Sequence, residues 1–368
     1  MAAPLPCTNG LSLETVVNDW NEIYDDYTTD ENSMYHGVFS LPQCPQKELP
    51  YGHVYIPFLY SITFLVGVFG NLFVVVLMLR KQSSRRLVDT FVINLAIADL
   101  VFVCTLPFWA GAAAAGNQWL YGATLCIASS YSISVTRYSG TLFLMAMSLD
   151  RYLAIVRLHK SQALRTRGCI RTTSAGIWVI SLLLGIPTLT SRRLLTDQET
   201  NRTVCSDICS EVQSGTKLAL LFFTFLLPFA IILFCYWSVS ARLRRHCQQG
   251  RNRRNSLKII FTVVGTFLCS WLPFNTLSCI ALFYKLEWVA LSCRSSQALS
   301  WGLTLTACLA FTNSCVNPII YTFLDRHFRQ QILQKPVWLF QKPKAAETTP
   351  GSSITFSSQS SAFFPPRG

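Results

Sequence analysis

Charge is scarce in this sequence: 13% of its 368 residues are charged, 51% are hydrophobic, and the mean hydropathy is +0.35. A disordered chain needs high charge and low hydrophobicity, and a soluble globular domain carries about twice this share of charge, so neither class fits. No nucleophile, metal-ligand or phosphate-cradling motif stands out, and enzymatic function is not expected. Acids are scarcer than bases, 18 against 31, so the net charge of +13 has to be located along the chain before it can be interpreted.

Long apolar sequence is what the chain has instead. Stretches able to cross about 30 Å of hydrocarbon, which takes roughly 20 helical residues, recur near 54–79, 88–115, 124–156, 170–190, 216–240, 257–284 and 297–324. Helices buried in a soluble protein would be shorter, and barrel strands would alternate in polarity with a period of two. The expected fold is an all-α membrane protein, with a seven-transmembrane helix bundle over 51–324. An acidic arm over 1–50 precedes it, and a short amphipathic helix over 325–340 and a disordered Ser/Thr-rich tail over 341–368 follow.

Lysine and arginine near span ends favour the cytoplasm. They crowd the connections after the first, third and fifth spans: Arg80, Lys81, Arg85 and Arg86; Arg157, Lys160, Arg165 and Arg167; Arg242, Arg244, Arg245, Arg251, Arg253 and Arg254. Those connections are expected inside, beside anionic lipid headgroups, and the positive charge needs no nucleic acid to explain it. The first 50 residues hold eight acids and one base, Lys47, and lack the basic start and short apolar core of a cleavable signal peptide, so they are expected outside. Their segment NEIYDDYTTDENSMY sets Tyr24 and Tyr27 beside Asp25 and Asp26. It reads either as a solubilising tail or as a tyrosine-sulfated arm that attracts a basic partner. Six cysteines fall outside on this topology, Cys7, Cys44, Cys126, Cys205, Cys209 and Cys293, and sequence alone does not assign their pairing. Asn201 opens one outward glycosylation acceptor, Asn201-Arg202-Thr203, and the tail segment ETTPGSSITFSSQSS offers hydroxyls for phosphorylation.

Ionisable groups at mid-span cost roughly 2.5 kcal/mol or more and need a partner or a watery cavity. Asp99 in LAIADL is one, and Asn71, Asn313 and Asn317 lie at comparable depth on the first and last spans. They form either packing hydrogen bonds or a hydrated pocket that rearranges. Pro107, Pro187, Pro228, Pro273 and Pro318 bend five of the spans. Arg151 ends the third span beside Asp150, as a snorkelling charge or as a two-state switch.

In order along the chain stand GN in the first span, LAIADL, Cys126, DRYLAIV, Trp178, Pro228 with Tyr236, SWLPF and NPIIY. Together, over about residues 50–335, these resemble the rhodopsin class of G-protein-coupled receptors. TLPFW, SLKIIFTVV and LAFTNSCVNPIIY are similar to its chemokine and peptide receptors, and LPYGHVYIP, RRLVDTFV, RRNSLKIIF and WGLT to an orphan branch of that group. The resemblance implies a bridge between Cys126 and Cys205 and a second between Cys44 and Cys293, leaving Cys7 and Cys209 over. It implies a sodium-site pair at Asp99 and Asn317 below Trp271, and activation contacts at Arg151, Tyr236 and Tyr321. The implied partners are an extracellular peptide or chemokine-like ligand, a heterotrimeric G protein of the inhibitory class, and arrestin and receptor kinases at the tail.

Departures from the pattern matter. Gly140 stands where the family's sodium site supplies a hydroxyl, which counts against the sodium ion near Asp99; no other cofactor is expected. Ala307 replaces a ligand-binding glutamate of many chemokine receptors, Asn313 their usual histidine, and Ser270 the cysteine of CWxP. Arg253 at the base of the sixth span offers no acid to lock Arg151. A scavenger that internalises ligand without signalling is the alternative, and the intact DRY and NPIIY weigh against it. A transporter would show internal repeats, and a retinal protein would need a lysine between Lys285 and Lys335, where there is none.

Arg137 is the charge these motifs do not absorb. It lies 11 residues below Cys126, about 16 Å, and 14 residues above Arg151, almost four whole turns, so both arginines share a face. One reading pairs Arg137 with Asp99. The other sets it on the floor of an outer pocket, with Trp109, Ile133 and Trp271, where it takes an anionic ligand group such as a C-terminal carboxylate.

Overall fold

A computed structural model describes residues 48–80, 87–157, 165–196, 202–208, 210–245 and 251–324, without the side chains of 243–245 and 251–260. The helices are α1 (Gly52–Arg80), α2 (Leu87–Ala114), α3 (Gly122–Ile155), α4 (Arg167–Ser191), α5 (Glu211–Arg245), α6 (Arg251–Lys285) and α7 (Cys293–Leu324). Strands β1 (Arg192–Thr196) and β2 (Thr203–Asp207) form an antiparallel pair between α4 and α5. The arm with Tyr24, Tyr27, Cys7 and Cys44, the acceptor Asn201, the amphipathic helix expected over 325–340 and the tail lie outside the described residues.

Six of these helices are long and apolar enough to cross a membrane; α3 is not among them. Of the seven spans expected, six therefore qualify by length and apolarity alone. At 34 residues α3 is long enough, but Ser129, Ser130, Ser132, Ser134, Thr136, Arg137, Ser139 and Thr141 dilute its hydropathy. It packs against α2, α4, α5, α6 and β1, so protein rather than lipid surrounds it. Several of its hydroxyls return to its own carbonyls, Ser129 to Cys126, Thr136 to Ser132, Ser139 to Thr136 and Ser148 to Leu144, which meets their need for partners inside the bundle.

The prolines interrupt the helices at identifiable points. Helix α2 breaks at Cys104–Thr105, because Pro107 lacks the N–H that would reach the Val103 carbonyl, and Thr105 Oγ1 donates to Phe102 O at 2.7 Å. In α5 a π-helical turn, Phe222–Leu226, precedes Pro228. In α7 Pro318 frees the Ser314 carbonyl, and the Asn71 amide of α1 donates to it at 2.8 Å. Gly70 permits that approach: a Cβ there would lie 2.9 Å from the Pro318 ring. The GN pair of the first span is thus a docking site for the last.

Aromatic groups close the interior. Phe311 of α7 meets Tyr60 of α1 at 5.5 Å and Phe102 of α2 at 5.0 Å, edge-on to the latter. Phe143 of α3 lies between Phe91 of α2 and Trp178 of α4, whose Nε1 donates to Asn94 Oδ1 at 2.9 Å. Helix α4 starts on a Thr166 cap, its hydroxyl accepting from Cys169 N, and α5 on a Ser210 cap accepting from Gln213 N.

Candidate functional site

The end of the bundle expected to face outside is organised by the β-hairpin. Cys205 of β2 is bridged to Cys126 of α3, across 79 residues. Cys293 is also disulfide-bonded, and its expected partner Cys44 lies outside the described residues. Thr203 accepts from Trp119 N at 2.7 Å and donates its hydroxyl to Trp119 O, fastening the hairpin to the first outer loop. Trp119 in turn packs tilted against Trp109 and edge-on against Tyr121.

Opposite strand ends pair Arg192 with Asp207. Arg192 Nε lies 3.4 Å from Asp207 Oδ1, and Lys217 Nζ of α5 lies 2.9 Å from Oδ2. Lys285, the last residue of α6, adds its charge to the same carboxylate's surroundings without a direct ion pair among the described residues. Burial pushes the Asp207 carboxyl up, but the surrounding Arg192, Lys217 and Lys285 outweigh it and hold the group below the usual carboxylate range. Sequence reasoning missed this cluster, because loop charges read as topology signals; β-hairpin register would have revealed only its Arg192–Asp207 pair.

Deeper in, the Arg137 guanidinium lies 5.1 Å from the Tyr138 ring centre and 6.0 Å from that of Trp271 on α6, with Nη2 3.4 Å from the Tyr138 hydroxyl. Among the described residues no carboxylate pairs with it. Trp109, 5% exposed, carries Arg192 5.9 Å from its ring centre, and its buried indole N–H has no acceptor among the described residues. Ile133, one turn above Arg137, is 1% exposed and is packing rather than open lining.

The polar groups at mid-depth only partly join. Asp99 Oδ2 accepts from Asn317 Nδ2 at 2.9 Å, and Ser314, which the sequence did not single out, faces the same carboxylate. Asn71 instead bonds the carbonyls of Gly67 and Ser314. Asn313 Oδ1 is buried without a partner among the described residues. A Cβ on Gly140 would meet only Leu95, at 3.7 Å, so the hydroxyl the resemblance leads one to look for is missing but sterically admissible.

At the inner end Arg151 Nη2 lies 3.3 Å from Asp150 Oδ2, and Arg165, which precedes α4, takes the other carboxylate oxygen at 2.9 Å. Tyr236 faces Ser148 of α3 and meets Phe261 of α6 with ring centres 4.3 Å apart, the rings tilted. The Tyr321 hydroxyl is buried with no hydrogen-bond partner among the described residues. The side chain of Arg253 lies outside the described set.

Residues 70–321 match the model of the seven-transmembrane receptors of the rhodopsin family. The chain belongs to that family. It is a multi-pass membrane receptor, not an enzyme. It is 48% identical to the probable G-protein coupled receptor 25 of Mus musculus over 298 residues, 80% of this chain and 82% of that one. It is 34% identical to apelin receptor B of Danio rerio over 353 residues, covering 92% and 96%. G-protein coupled receptor 15 of Mus musculus is 36% identical over 304 residues, 80% of this receptor and 84% of that one.

Proposed function

We propose that this receptor binds an extracellular peptide or chemokine-like protein by its C-terminus and activates heterotrimeric G proteins of the inhibitory class. The N-terminus lies outside and the C-terminus inside. The ligand's terminal carboxylate enters the bundle from the outer end and is taken by the forked donors of Arg137 above Trp271. What supports this reading is a single observation: Arg137 stands half-buried at mid-depth against two aromatic rings, with no carboxylate beside it among the described residues, while Asp99 is engaged by Asn317. A buried charge without an opposite partner is costly, and an arriving anion removes that cost. The acidic arm, including Tyr24 and Tyr27, then meets the folded body of the ligand. Release of Arg151 from Asp150 toward the G protein, with Tyr236 and Tyr321 closing behind it, carries the signal, and arrestin and receptor kinases act at the tail.

The test is agonist-dependent nucleotide exchange on the expressed receptor. Arg137→Ala, or amidation of the agonist's C-terminus, should lower potency by two orders of magnitude or more with surface expression intact. Ligand uptake without nucleotide exchange would instead establish the scavenger.

A further inference from the structure

The cluster around Asp207 holds three cationic side chains and one carboxylate, contributed by β1, β2, α5 and α6. Asp207 therefore offsets only part of the local positive charge. The hydrogen bonding is unfilled too. Arg192 is 8% exposed, and at 3.4 Å its Nε fails as a directional bond to Asp207, leaving a buried N–H without an acceptor. Trp109 directly beside it leaves a second one. Two buried donors without an acceptor among the described residues, next to surplus positive charge, suit an anionic group.

The cluster's depth is fixed by covalent neighbours. Arg192 Nη1 donates to Cys205 O at 3.3 Å, and Cys205 is bridged to Cys126. Arg137 is 11 residues further along the same helix as Cys126, about 16 Å deeper at the helical rise per residue. An extended peptide advances about 3.3 Å per residue and covers that depth in about five residues.

We infer that the ligand carries a second acidic group about four to six residues before its C-terminus, and that Arg192, Lys217 and Lys285 take it at the rim in partial exchange for Asp207. This rests on the proposed anchoring of the C-terminal carboxylate at Arg137. Asp207 acts as a placeholder: it keeps the cations folded inward when the site is empty and gives up part of its hold when a ligand carboxylate arrives. The rim then measures the distance between two anions, a specificity that neither site has alone.

The probe is a set of apolar eight-residue peptides with one glutamate walked from the second to the seventh position from the C-terminus, plus a glutamate-free parent. Each is made as free acid and as amide and is measured for binding to full-length receptor in nanodiscs. The free-acid series should peak near the sixth position, about tenfold tighter than the parent. Lys217→Ala and Lys285→Ala should each flatten the gain that glutamate gives over the parent measured on the same variant, with a cooperative melting transition reporting a folded receptor. Asp207→Asn should raise the peak. A flat profile across the free acids, a peak indifferent to both lysine variants, or no binding by any member at the highest soluble concentration overturns the inference. If acids and amides bind alike while the lysine-dependent gain from glutamate persists, the anchor at Arg137 falls and the rim site stands.

Discussion

Asn317 donates its amide to the Asp99 carboxylate at 2.9 Å, joining α7 to α2 between residues 218 positions apart. The next residue of α7, Pro318, leaves the Ser314 carbonyl, about one turn back, to Asn71 of α1. Three helices thus meet through two side-chain amides, one of which takes up a freed helix carbonyl, so this junction is held by a few specific contacts.

Asn317→Ala should therefore destabilise the ligand-free receptor by about 1–3 kcal/mol, the cost of leaving a buried acceptor without its donor. Thermal unfolding of purified receptor checks this, and an unchanged midpoint would mean that the carboxylate finds another partner.

At the inner end the prediction is a pair of opposite signs. Asp150 divides its two oxygens between Arg151 and Arg165, at 3.3 Å and 2.9 Å. Arg165→Ala leaves the whole carboxylate to Arg151 and should lower agonist-stimulated nucleotide exchange. Asp150→Asn weakens the hold on Arg151 and should raise basal exchange. Movement of both variants in the same direction would count against competition for Asp150.

Gly185 of α4 is set by the close approach of α3: an added Cβ would lie 2.8 Å from the Tyr131 ring and 2.9 Å from Val135. The Tyr131 hydroxyl also donates to Leu182 O at 3.1 Å, so the ring is not free to swing away without loss. Gly185→Ala should cost about 1–3 kcal/mol by overpacking. Adding Tyr131→Ala should recover part of it, which a double-mutant comparison of melting temperatures reads directly.

For Asp207 the expected dependence on pH follows from the sign of its shift. Its carboxyl is held below its ordinary value of 3.8, so its contribution is fully present above that value and is lost as pH falls through the lower, folded value. The stability difference between the native receptor and Asp207→Asn should stay constant from neutral pH down to about pH 5 and shrink below about pH 4. A difference that already changes near pH 6 would mean another titrating group controls the hairpin.

Misplaced residues were the legible ones. Asp99 and Arg137 stand out because a charge in an apolar run demands an explanation, and Asp150–Arg151 because the motif is short and contiguous. The pairing of Cys126 with Cys205 was readable only through family resemblance, since six outward cysteines leave the choice open. Arg165, Lys217 and Lys285 were not legible, because a basic residue beside a span already has a sufficient reason in topology. The third span was legible in its length, but its serines and threonines matter only once it is known to be wrapped by other helices. Ser314 was hidden for a related reason, as one small hydroxyl in a helix whose partner depends on bundle geometry.

The hairpin over the outer end is fastened on every side, to the first outer loop through Trp119 and Thr203, to α3 through the disulfide, and to α5 through Asp207 and Lys217. An arriving molecule meets a doorway whose frame stays fixed at α3 and at the first outer loop, while only the Asp207 contact yields. The rate of capture is then governed by collision and by the attraction of the outer cations, so it should fall with added salt, while the time spent bound is decided by the contacts further in.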